Sequence, residues 1–261
     1  MRHNMNWKPF VAAGAGIFLL QGCSGDPQAE QNEEQAELTV SAAASLQDAL
    51  TEVQKSFANE HPDISLAFNY GGSGTLKQQI ERGSPADIFL SASAAHYNDL
   101  EEENKMVETE DPVFAENTLV AVVPRDSKAE ELQEVLEGSG RIAVATPEAA
   151  PAGRYAQEAL TSMQEWKRVQ ERVVFAKDVR HALTLVERNN AALGFVYASD
   201  ARGADVQVLE ELDPSLYSAI HYYGGAVAGN GNEKESREFM EYLQSSEAQD
   251  ILRSYGFSDP E

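Results

Sequence analysis

Apolar positions recur along this chain in two rhythms that take turns. Leu38 to Ala44 (LTVSAAA) is a short apolar run that predicts a strand, and Leu46, Ala49, Leu50, Val53 and Phe57 follow at helical spacing. Ile64, Leu66, Phe68 and Tyr70 alternate with Ser65, Ala67 and Asn69, which predicts a second strand. A GGSG turn then leads into a short helix, TLKQQIER. Further strands are predicted at Asp87–Ser91, Asn117–Pro124, Arg141–Thr146, Val173–Lys177 and Ala192–Ala198. Helices are predicted at Ala94–Glu103, around Glu130–Leu136, from Arg154 to about Met163 and on to Arg172, and at Arg180–Arg188. The tail from Glu233 to Tyr255 reads as helical, with Phe239, Leu243, Ile251 and Leu252 facing the core. Strand and helix alternating almost throughout predict an α/β fold with mainly parallel sheets and right-handed crossovers.

The first residues break this rhythm. Arg2 and Lys8 precede an uncharged stretch, Phe10 to Leu20, that is too short to span a bilayer but suits the apolar region of a signal peptide. Leu20, Gln21, Gly22 and Cys23 follow and resemble a bacterial lipobox, in which the cysteine is lipidated and becomes the mature N-terminus. The other reading of Cys23 is a buried cysteine after an ordinary signal. Residues 1–22 are therefore expected to be a lipoprotein signal peptide. Residues 23–37, polar and acidic without periodicity, are expected to be a flexible tether.

Composition narrows the function. The 261 residues carry 20 Lys and Arg against 43 Asp and Glu, a net charge of −23, and loss of residues 1–22 would deepen it by two. Such a chain is poorly suited to gripping nucleic acid through charge. One cysteine excludes an intrachain disulfide framework and a cysteine-based zinc site. The histidines, His3, His61, His96, His181 and His221, form no H-x-x-x-H or H-x-H pair. No G-x-S-x-G elbow, H-E-x-x-H or P-loop is present, and no histidine neighbours Ser45 or Ser73 in sequence. No catalytic residue, no bound metal cation and no cofactor are therefore assigned.

The informative segments lie where strands give way to helices. Four junctions share a character: Ala42–Leu46, Gly71–Thr75, Pro147–Gly153 and Lys177–Arg180. Three are built from small residues that let a ligand approach the backbone. Each opens a helix whose first N–H groups lack internal partners, and free N–H groups at the positive end of a helix dipole favour an anion. Each also has a plainer reading. Ser45 with Asp48 forms a capping box, Gly71–Gly74 a tight turn, Pro151–Gly153 a helix start, and Tyr197 a core aromatic at the end of an apolar strand.

The runs AAASL (42–46), GSGTL (72–76), PADIFLSA (85–92), PEAAPAGRYAQEAL (147–160), DVRHALTLVERNNAALGFVYASDA (178–201) and the terminal YGF (255–257) resemble the periplasmic molybdate-binding proteins of ABC importers. The resemblance covers nearly all of the chain from Leu38, in collinear order. It implies a two-lobed periplasmic-binding fold of type II, each lobe a mainly parallel sheet flanked by helices, with the ligand in a cleft at a hinge. Residues 38–117 and 229–261 would form lobe 1 and residues 118–228 lobe 2, with Asn117–Pro124 crossing over and roughly Ser218–Gly229 returning.

The resemblance further implies that Ser45, Ser73, Ala152, Val179 and Tyr197 contact molybdate. Ser45 and Ser73 would donate hydroxyls and backbone N–H groups, Ala152 and Val179 backbone N–H alone, and Tyr197 its phenol. Arg154 and Arg180 are not assigned to the ligand. The segment around Ser73 is Gly-rich where relatives can carry a run of serines. Molybdate at neutral pH only accepts hydrogen bonds, so a site of donors suits it. Tungstate is expected to bind alongside it, and sulfate, being smaller, could not reach every donor at once. The alternative is a binding protein for another tetrahedral oxyanion such as sulfate. The implied partners are ABC permease subunits and, through Cys23, a membrane, with the protein extracytoplasmic and monomeric.

Overall fold

The computed structural model describes residues 35–260. The expected signal peptide, the expected lipidation site Cys23 and most of the expected tether lie outside them. The first half of the described chain runs β1 (Ala36–Ala43), α1 (Gln47–Glu60), β2 (Ile64–Gly71), α2 (Ser73–Glu81), β3 (Ile88–Ser91), α3 (Ala94–Glu102) and β4 (Val113–Asn117). The chain then continues through β5 (Leu119–Pro124), α4 (Leu132–Glu137), β6 (Ile142–Ala145), α5 (Pro151–Ser162), α6 (Trp166–Val169), β7 (Val173–Ala176), α7 (Val179–Glu187), β8 (Leu193–Tyr197), α8 (Ala198–Ala201) and β9 (Val206–Glu211). It ends with β10 (Ile220–Ala226), α9 (Glu233–Leu243) and α10 (Ser246–Ser254).

These elements build two five-stranded sheets of the same design, ordered β2-β1-β3-β10-β4 and β7-β6-β8-β5-β9. In each, three strands are parallel and two pair antiparallel. The parallel strands are those joined by crossover helices, as the strand–helix alternation requires. Their inner positions are fully apolar. Leu38, Val40, Ile88, Leu90, Ile142, Val144, Leu193 and Phe195 are all buried, and α1 lays Ala49, Leu50, Val53 and Phe57 onto the first sheet's core.

The structure moves several expected boundaries. The first strand begins at Ala36, so the last two residues of the expected tether are ladder residues paired with β2. The predicted strand Asn117–Pro124 is two strands. The chain pairs in the first sheet up to Asn117 and in the second from Leu119, and the Asn117 carboxamide oxygen accepts the Thr118 N–H at 2.9 Å where the chain changes sheets. The return lies earlier than 229, because β10 pairs with β3 and β4 and so residues 220–226 belong to the first sheet rather than the second. The tail is two helices, since the Ser245 hydroxyl accepts the Ala248 N–H at 3.3 Å and starts a new one. β4, β9 and β10 carry no regular alternation of their own in the sequence, and their pairing appears only in the sheets.

Candidate functional site

The four small-residue junctions meet. β1 ends at Ala43, and a single 3₁₀ turn, Ala44–Leu46, places Ser45 ahead of α1. β2 ends at Gly71 and Ser73 is the first residue of α2. Pro151 opens α5, with Ala152 behind it, and Val179 opens α7 directly beyond Asp178. Tyr197 is the last residue of β8. Each position lies at or just beyond the carboxyl end of a parallel strand, where open α/β sheets place ligands. Ser45, Ser73, Ala152, Val179 and Tyr197 all line one small cavity between the two sheets' helices. The first two come from the first half and the other three from the second.

Its free space is about 10 Å³ for the centre of a water-sized sphere. That is close to the smallest space that holds one molecule of water, room for a single small species. The halves touch on either side of it. The Gly74 and Thr75 N–H groups both donate to the Ala149 carbonyl, at 3.0 and 3.3 Å, and the Tyr155 hydroxyl donates to the Ala92 carbonyl at 3.3 Å. Gly72 permits this approach, since a Cβ there would lie 2.4 Å from the Ala149 oxygen. Gly153 does the same within the second half. A Cβ there would lie 1.9 Å from the Ala145 oxygen, so only glycine lets the start of α5 settle against the end of β6.

Donors dominate the lining. In α2 the Gly74 and Thr75 N–H groups are spent on Ala149, which leaves Ser73 as the first-turn N–H at the cavity. In α5 Pro151 has no N–H and Gly153 donates to Ala150, which leaves Ala152. In α7 the His181 N–H is taken by the Asp178 carboxylate at 2.8 Å and Ala182 by the Asp178 carbonyl, which leaves Val179 at the cavity wall. Ser73 Oγ accepts the Ala92 N–H at 3.1 Å, so its own proton is free. The Tyr197 hydroxyl is 1% exposed as a residue and has no hydrogen-bond partner among the described residues. Burial, with Tyr222 and Tyr155 nearby, holds its pKa well above that of an ordinary phenol, so it stays protonated and can donate.

Ser45 does not cap its helix, contrary to the capping-box reading. Leu46 occupies the cap position, and Ser45 Oγ instead lies 2.8 Å from the Tyr222 hydroxyl. Asp178 is the one charged residue lining the cavity, and its carboxylate is engaged as the α7 cap and by Lys177 Nζ at 3.6 Å. Neither neighbouring arginine lines the cavity. Arg180 reaches Asp48 of α1 at 2.9 Å and Asp200 at 3.7 Å. Arg154 lies 3.6 Å from Glu158, donates to Ser93 at 3.4 Å and stacks over the Tyr155 ring. Tyr222, Asn117 and Asp200 had no signal in the sequence beyond a core aromatic, a strand end and a helix start.

A larger surface cavity, about 220 Å³, lies on the first sheet's side alone, between the 107–111 loop, β10 and α9. Among the described residues no group of three or more His, Cys, Asp or Glu could hold a metal ion, and no helix is long and apolar enough to cross a membrane.

Residues 38–258 match the family model described as bacterial extracellular solute-binding protein. The chain is 38% identical over 252 residues to YvgL of Bacillus subtilis, which bears the provisional name of an ABC transporter substrate-binding lipoprotein; the match covers 95% of this chain and 96% of that one. It is 37% identical over 231 residues to the molybdate-binding protein ModA of Haemophilus influenzae, covering 85% of this chain and 90% of the relative. Among solved structures, the periplasmic molybdate-binding protein of Azotobacter vinelandii superposes with a TM-score of 0.79 at 23% identity, over 86% of this chain and all of the other.

Proposed function

The chain belongs to the bacterial extracellular solute-binding proteins, a binding protein and not an enzyme, and on that premise we propose that it captures molybdate in the cavity between its halves and delivers it to an ABC permease. One observation carries the reading: Ser45, Ser73, Ala152, Val179 and Tyr197, drawn from both halves, converge on a cavity for one small species. Its hydroxyls and helix-start N–H groups are donors, and an oxyanion without protons is all acceptor. Hydrogen bonds to an ionised acceptor contribute about 1.5–3 kcal/mol each, so several of them offset dehydration of the ion without a buried lysine or arginine. The molybdate-binding name of a relative 37% identical supports this ion over sulfate. Tungstate, nearly the same in size and charge, is expected to bind alongside it. The lipid anchor at Cys23 is supported by the apolar segment before it and by the lipoprotein name of YvgL.

Titration calorimetry with molybdate, tungstate, sulfate and phosphate tests the assignment. Molybdate and tungstate should bind tightly and the other two weakly. Ser45→Ala, Ser73→Ala and Tyr197→Phe should each weaken molybdate by about tenfold or more, the loss of one charge-assisted hydrogen bond. Sulfate binding as tightly as molybdate would reassign the ligand, and unchanged affinity in all three variants would dismiss the site.

A further inference from the structure

The three hydroxyls of the cavity differ in what fixes their protons. The Ser73 oxygen accepts from a backbone N–H, which can only donate, so the Ser73 proton is not spent there and is available to the cavity that Ser73 lines. Ser45 has no such backbone partner. Its Oγ lies 2.8 Å from Tyr222 Oη, and for two hydroxyls alone either could be the donor. The next link decides the direction. Asn117 Nδ2 lies 3.4 Å from Tyr222 Oη and 2.8 Å from Ser199 Oγ. The orientation of that carboxamide is fixed in turn by the Thr118 N–H, which donates to Asn117 Oδ1 at 2.9 Å. An N–H cannot accept, so this end of the amide is the carbonyl and the other end is donor only. Tyr222 Oη therefore accepts from Asn117, and with one lone pair so engaged its own proton is best placed on Ser45 Oγ. Ser45 Oγ accepts it, and the Ser45 proton is left for the cavity. The whole chain is out of solvent: Tyr222 is fully buried, and Asn117, Ser199 and Ser45 are nearly so.

We infer that Tyr222 is a positioning residue which, held by Asn117 at the crossing between the sheets, orders the Ser45 hydroxyl as an obligate donor to the bound anion. Resting on the oxyanion reading above, this deepens it. Ser45 reaches through two side chains the state that Ser73 reaches through one backbone group. The relay is out of bulk solvent, and a chain of aligned hydrogen bonds strengthens each member. A protonated oxygen placed opposite Ser45 would set two protons face to face, so the relay also favours a fully ionised ligand.

Molybdate titrations of the purified protein test this with Tyr222→Phe, Ser45→Ala and the double variant. Ser45→Ala should weaken binding by about tenfold and Tyr222→Phe by about threefold, since the Ser45 hydroxyl remains but is no longer ordered, and the double variant should be no weaker than Ser45→Ala by more than about twofold. A purely structural role for Tyr222 would instead make the two losses multiply. Asn117→Asp supplies a second handle. Its carboxylate would take the Tyr222 proton, so Tyr222 would take that of Ser45, and the Ser45 oxygen would face the anion with its lone pairs. The loss should exceed tenfold, and it should shrink when Tyr222 is also Phe. Tyr222→Phe binding like the parent, or losses that multiply, would overturn the relay while leaving the cage intact if Ser45→Ala still weakens binding. A neutral Ser45→Ala would overturn the relay, and the cage would fall with it only if Ser73→Ala and Tyr197→Phe were neutral too.

Discussion

Asp200 is a carboxylic acid held where water does not reach. Burial raises its pKa from 3.8 to about 7, while Arg180 and the Tyr197 N–H pull it part of the way back. In the unfolded chain the group loses its proton near pH 4, and in the folded chain only near pH 7. Between those values the unfolded state binds fewer protons, so the contribution of Asp200 to folding stability falls as pH rises through that window and stays low above it. Asn resembles the protonated form and carries no such cost. Asp200→Asn should therefore raise the melting temperature relative to the parent by more at pH 8 than at pH 5, and an equal difference at the two pH values would contradict this. Legibility in the sequence divides at the same scale. Ser45 and Ser73 stand out because junctions of small residues between a strand and a helix recur along the chain, although each alone has a plainer use. Tyr222 does not, because a tyrosine in an apolar strand looks the same whether its hydroxyl idles or directs a neighbour.

Between elements, the closest ionic contact across the halves joins α7 to α1. Arg180, on α7 of the second half, lies 2.9 Å from Asp48, near the start of α1 in the first. The pair exists only when the halves meet, so it stabilises the closed form selectively and raises apparent affinity without touching the ion. Both side chains are partly in solvent, where such pairs contribute roughly 0.2–1 kcal/mol. Asp48→Asn should weaken molybdate binding by up to about fivefold, and the effect should fade in high salt. A loss that persists undiminished in molar salt would assign Asp48 another role. Most elements follow from periodicity, because the parallel strands carry apolar runs or clean alternation and their helices are strongly one-sided. The misses have local causes. Three acids among the last residues of β9 and the adjoining turn hide an edge strand, one serine divides the C-terminal helix, and the crossing at Thr118 interrupts what reads as one apolar run.

At the scale of the whole molecule, an anion receptor of net charge −23 presents a long-range repulsion around a local attraction. The dipoles and hydroxyls act over one hydrogen-bond length, and the surface acids act over a screening length of about 8–10 Å in ordinary salt. The approach of molybdate should therefore quicken as salt rises from about 10 to 150 mM, which stopped-flow fluorescence can follow. A rate that falls with salt would reveal an attractive path that the overall charge conceals. The division of the cage between the halves has its own effect on unloading. Two of the five positions ride on one sheet and three on the other, so spreading the jaws by a few ångströms leaves neither side with a full set of donors. If these five positions hold the ion, discharge would require no competitor and no change of protonation: a partner that levers the molecule apart would make the cargo leave by geometry alone.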